Sequence, residues 1–81
     1  MNAKITAVHK SRGMLATHWE FDFSLGNGEG KAMEGVLSLD EAIGLAKRPD
    51  LGPVADMCRA IEATPPVEFS RLVGRMFGSE R

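Results

Sequence analysis

From Leu15 to Leu25 the chain alternates position by position. The odd positions read Leu15, Thr17, Trp19, Phe21, Phe23 and Leu25, and the even ones Ala16, His18, Glu20, Asp22 and Ser24. A period of two is the pattern of a strand with one face buried and the other wet. No helix gathers such a pattern onto one side. The rest of the chain therefore has two tasks: to supply strands beside this one, and to cover its aromatic face.

Both tasks are met in order along the sequence. Residues 3–10 alternate loosely and favour β-branched types, which predicts a first strand. Ser11-Arg12-Gly13 supplies turn chemistry, with Gly13 free to take a positive φ. Gly26-Asn27-Gly28-Glu29-Gly30 holds an Asn-Gly pair between two strand-like runs, a hairpin signal. Lys31 to Leu37 is the third strand, where Gly35 marks a bulge or a close backbone approach. Connections this short permit only an antiparallel meander.

Ser38-Leu39-Asp40-Glu41 has capping-box spacing and opens a helix carrying Leu39, Ala42, Ile43 and Ala46 on one side. Lys47 and Arg48 suit its C-terminal end, and Pro49 stops it. Gly52-Pro53 starts a second helix with the stripe Val54, Met57, Cys58 and Ile61. Thr64-Pro65-Pro66 opens a third, capped by Thr64, lined by Phe69, Leu72, Val73, Met76 and Phe77, and ended by Gly78. The expected fold is α+β: a three-stranded antiparallel meander followed by three short helices packed on one face, a βββααα two-layer sandwich over a single domain, 1–81. Its core is expected to hold Trp19, Phe21, Phe23, Met33, Leu37, Ile43, Met57, Ile61, Phe69, Leu72 and Met76. Register decides whether Ile5 is joined by Ala7 or replaced by Val8.

Charge bounds the function. Ten Lys and Arg against eleven Asp and Glu give a net charge of −1, which argues against a strongly cationic nucleic-acid or membrane-surface binder. One cysteine forms no internal disulfide, and neither a bilayer-length apolar run nor a secretory leader is apparent, so a cytoplasmic address is expected. An 81-residue chain has a thin stability margin, and docking on a partner or forming a homodimer would add buried surface.

His18, Glu20 and Asp22 share the wet strand face and could hold a metal or exchange protons. Solvated residues paired across the sheet with Lys4 or Lys10 are the simpler reading. His18-Trp19-Glu20 has the His-x-Glu of zinc deaminases, but the Pro-Cys-x-x-Cys that must follow is missing. Cys58 on an apolar stripe reads as a small hydrophobe rather than a nucleophile. The spaced glycines lead into a strand and contain Glu29, unlike a phosphate loop. Trp19, Phe21 and Phe23 could stack bases, but three helix stripes need that face for a core. No catalytic residue, cofactor or metal is therefore expected.

The leading function is a non-enzymatic protein-binding module, a small regulator or inhibitor that occupies a partner's surface. Phage-encoded inhibitors, anti-CRISPR proteins among them, are similar in size alone. The candidate contacts are Lys4, Lys10, Arg12 and His18 around a basic first turn, with Lys47, Arg48 and Arg59 on the helices as a second surface. The alternative is a nucleic-acid-binding regulator using the helix pair at 39–62 or the same turn. It is disfavoured because Asp56 and Glu62 accompany Arg59 on the helix that would read bases.

Overall fold

The computed structural model describes residues 2–26 and 32–78. Strands β1 (Asn2–Arg12), β2 (Thr17–Gly26) and β3 (Ala32–Ser38) precede helix α1 (Leu39–Leu45), a short 3-10 turn at Pro49–Leu51 and helix α2 (Pro53–Ala63). A 3-10 helix over Pro66–Leu72 and strand β4 (Met76–Gly78) follow. The expected Asn27-Gly28 hairpin turn lies outside the described residues. The α+β class holds, with four antiparallel strands among the described residues, in the order β3-β2-β1-β4.

The fourth strand corrects the third helix. Helical turns stop at Leu72, Gly74 adopts a φ of 90°, and Met76–Gly78 pairs with Asn2–Lys4. A 3-10 helix has about three residues per turn, so Phe69 and Leu72 share its inward side. Both are buried, whereas Val73 and Met76 are exposed. Thr64 also changes role. Its hydroxyl donates to the Ala60 carbonyl at 2.6 Å and closes the end of α2, leaving Pro65 to precede the 3-10 helix.

The capping box forms as expected. The Glu41 amide donates to Ser38 Oγ at 3.1 Å, and the Ser38 amide donates to Glu41 Oε1 at 2.9 Å. Ala42 and Ala46, one turn apart and both buried, leave α1 a small-residue side in the core. Phe21 is wholly buried mid-strand opposite Val8 and Leu37, and it meets Phe69 edge-on with ring centroids 5.0 Å apart. Ile5, Met57, Cys58, Ile61 and Leu72 complete the larger core residues. Met33 and Met76, expected inside, are 65% and 60% exposed, since both lie on strands at the margin of the sheet.

A β-bulge resolves the register of β1. Ile5 faces Phe23 and Ala7 faces Asp22, so Thr6 is the extra residue. The inward side passes from Ala3 and Ile5 to Val8, and both Ile5 and Val8 join the core side. On β3, by contrast, Gly35 serves close approach. A Cβ built there would lie 2.7 Å from Cζ of Phe23, whose ring takes that space.

Candidate functional site

The β1–β2 hairpin outgrows its neighbours. Its β2 strand runs past the last β3 pairing, Glu20 with Ser38, to Thr17. Its β1 strand continues from Lys4, the last partner of β4, to Arg12, about 26 Å further at a normal strand rise. Four residues, Gly13 to Ala16, close the end, where the Gly13 amide donates to the Ala16 carbonyl at 2.8 Å. Gly13 has no positive φ. Its lack of a side chain makes room for His18, whose Nε2 would lie 3.0 Å from a Cβ at that position.

Met14 and Leu15 sit at this end, 100% and 99% exposed. Leu15 was expected to begin the buried side of the strand, but the turn claims it instead. The signal for this site was two adjacent apolar residues directly after turn chemistry, where alternation would have separated them.

The bulge at Thr6 also decides which way the cations point. Before it, Lys4 lies opposite Ser24 on the face away from the helices. After it, Lys10 and Arg12 lie opposite Trp19 and Thr17, and opposed residues share a face. Trp19 turns toward the helical layer, where it meets Phe69 edge-on at 4.9 Å. The Lys10 ammonium stands 5.4 Å from the centre of the Trp19 ring, a cation–π distance. Among the described residues no carboxylate pairs with Lys10 or Arg12. Glu20, Asp22 and Glu34 occupy the opposite face of the sheet.

The first candidate set therefore divides. Lys10 and Arg12 share the helix-side face of the arm, His18 lies on the other face near its end, and Lys4 stands far down the strand. The strand carboxylate Asp22 pairs with His9 rather than with Lys4 or Lys10, its Oδ2 lying 3.0 Å from His9 Nε2. Among the described residues no group of three His, Cys, Asp or Glu is arranged to hold a metal ion.

The second candidate surface is largely self-satisfied. Arg48 donates twice to Asp50, at 3.3 and 3.2 Å, which holds the Asp50 carboxyl below its usual range. Arg59 donates to the Ala46 carbonyl at 3.2 Å and to Asp56 Oδ1 at 3.0 Å. Of this set, Lys47 has no ion-pair partner among the described residues. A cleft of about 310 Å³ opens where β2 outruns β3, lined by His18, Trp19, Glu20, Ser38 and Asp40 among others. Sequence reading missed it because it arises from unequal strand lengths.

Cys58 is fully buried. Burial pushes its thiol up from about 9 to about 11, with the nearby Arg59 charge opposing in part. The unfolded chain ionises this thiol first, so folding stability falls as pH rises from about 9 toward 11. Cys58→Ala is expected to lessen that fall. Urea unfolding of both proteins at about pH 8 and about pH 10.5 checks it, and equal losses for the two would discount the thiol.

Comparison with known proteins finds no matching family model, no similar curated protein and no similar solved structure. Among the described residues no helix is long and apolar enough to cross a membrane.

Proposed function

We propose that this chain is a non-enzymatic protein-binding module, a small cytoplasmic regulator or inhibitor that seats the end of its β1–β2 arm on a partner protein. The observation that carries the reading is the complete exposure of Met14 and Leu15 at the end of that arm. Single exposed apolar residues are common and mean little. Here two are adjacent, stand on an element that outgrows the sheet, and follow two cations without carboxylate partners among the described residues. Burying a side chain of this kind is worth about 1.5–3 kcal/mol, while Lys10 and Arg12 would steer approach to an acidic surface.

A protein fits this arm better than a nucleic acid. Neutralising two phosphates gives a salt slope of only about −1.8, against the 6–10 phosphate contacts of many DNA binders. Trp19 is also engaged by Phe69 and Lys10, so its ring is not an open stacking platform. The reading is non-enzymatic because the His9–Asp22 pair stands half in solvent on the outer sheet face, without the water-excluding pocket that acid–base chemistry favours.

The test is affinity capture on the immobilised chain, followed by binding measurements between the purified chain and the partner so identified. Met14→Asp/Leu15→Asp is expected to weaken that binding by about tenfold or more, as loss of a central apolar anchor does. Its thermal midpoint should stay within about 2 °C of wild type, because neither side chain packs on the fold. A partner that binds wild type and the double variant equally would remove the arm's end from the interface.

A further inference from the structure

The open side of the arm has a direction and a chemistry. In an antiparallel strand, successive residues point their backbone N–H and C=O to opposite sides. Gly13 donates across the hairpin to Ala16, so Ser11, His9 and Ala7 face β2 in the same way. Arg12, Lys10 and Val8 then face away from it. The other end of β1 agrees: Ile5 faces away from β2, accepting from the Gly74 amide at 2.7 Å and donating to the Arg75 carbonyl at 3.4 Å. The extra residue at Thr6 reconciles the two counts.

Strand β4 fills this lane only along Asn2–Lys4, and the chain entering it reaches Ile5. Beyond, among the described residues, no other backbone group bonds to Val8, Lys10 or Arg12 on that side. This is an unpaired strand edge, the feature that strand-adding partners use.

We infer that the edge of β1 from Val8 to Arg12 receives an extended segment of the partner as an added antiparallel strand. The segment carries acid-x-acid-x-aliphatic, where acid is Asp or Glu. The order follows from the register. Read from its own N-terminus, an antiparallel strand meets Arg12, then Lys10, then Val8. Directly opposed residues share a face, so the two carboxylates stand beside Arg12 and Lys10 and the aliphatic side chain beside half-buried Val8. A second copy is the poorer occupant, because pairing β1 with itself brings two Lys10 and two Arg12 side chains onto one strip. The inference rests on the protein-binding reading and specifies how the arm binds.

The test uses a displayed library of random 12-residue peptides selected on the full chain at low salt. Enriched peptides are synthesised and their effect on amide hydrogen exchange is mapped. The expected result is enrichment of the acid-x-acid-x-aliphatic pattern and slowed exchange at Val8, Lys10 and Arg12. Ala7, His9 and Ser11, already turned toward β2, should change little. Lys10→Gln removes a charge, while Lys10→Pro also removes the outward N–H. Gln is expected to weaken the peptide severalfold, and Pro at least tenfold beyond Gln. The exchange pattern is read on wild type, so it stands even if the proline variant does not fold.

No enrichment, protection confined to Gly13–Ala16 or the helices, or equal affinity of the Pro and Gln variants would overturn strand addition. If the captured partner still required Met14 and Leu15 in any of these cases, the arm would remain the docking element and only its mode would fall. If peptides added to the edge while the captured partner ignored the arm's end, the edge assignment would stand and the end-anchored reading would fall.

Discussion

Phe21→Ala is expected to remove about 3–5 kcal/mol of folding stability, the range for deleting a fully buried phenylalanine. For a chain of this length that is a large share of the whole margin, about 0.05–0.15 kcal/mol per residue. The side chain is wholly buried, faces Val8 and Leu37 across both neighbouring strands, and meets Phe69 edge-on. Its sequence neighbours on the opposite face predict the contrast. Glu20→Ala and Asp22→Ala should each stay within about 1 kcal/mol of wild type, because the His9–Asp22 pair is half in solvent and such pairs contribute little. Urea unfolding of the three variants decides the matter. A wild-type midpoint for Phe21→Ala would show that this strand does not organise the core.

That strand was legible because its pattern and its environment agree from Trp19 to Phe23. Ser38 and Glu41 were legible for a local reason: capping-box spacing states a pair of hydrogen bonds within four residues. The bulge at Thr6 had no such signature. It is set by how β1 must lie against β2, and nothing in Ile5-Thr6-Ala7 distinguishes it from an unbroken strand. The same bulge obscures the candidate site. Lys10 and Arg12 could be picked out as basic residues near a turn, but their separation from Lys4 onto the opposite face depends on the extra residue. Met14 and Leu15 were passed over because the alternation was carried two residues too far into the turn.

Strand β4 was obscured by a genuine ambiguity of spacing. Phe69, Leu72, Val73, Met76 and Phe77 fit a helical stripe, and only the backbone at Gly74 and the vacant edge beside Asn2–Lys4 divert the last of them into a strand. This is tertiary pairing overriding a local period. The same short strand leaves the remainder of the β1 edge open. The misread helix and the candidate docking edge thus have one physical origin.

Phe69→Ala is expected to cost as much as Phe21→Ala, about 3–5 kcal/mol, and to have a second effect that Phe21→Ala lacks. Phe69 is 2% exposed, and its ring meets both Trp19 at 4.9 Å and Phe21 at 5.0 Å, edge-on in each case. Such aromatic pairs add about 0.5–1.5 kcal/mol beyond the area they bury. The 3-10 helix that carries Phe69 has only one other fully inward large side chain, Leu72, so it is poorly placed to close over the gap. Trp19 would lose its contact with the helical layer at the base of the arm, leaving Lys10 on one side of its ring. Because it is the chain's only tryptophan, its fluorescence reports this directly. In native buffer the emission of Phe69→Ala should shift to longer wavelength, and amide exchange along Val8–Arg12 should quicken. Phe69→Leu keeps most of the apolar volume and should lose about 1–2 kcal/mol with a smaller spectral shift. A Phe69→Ala protein that unfolds at the wild-type midpoint with unchanged Trp19 emission would mean that the arm is held by its strand pairing alone, and the packing of Trp19 on Phe69 would no longer account for its orientation.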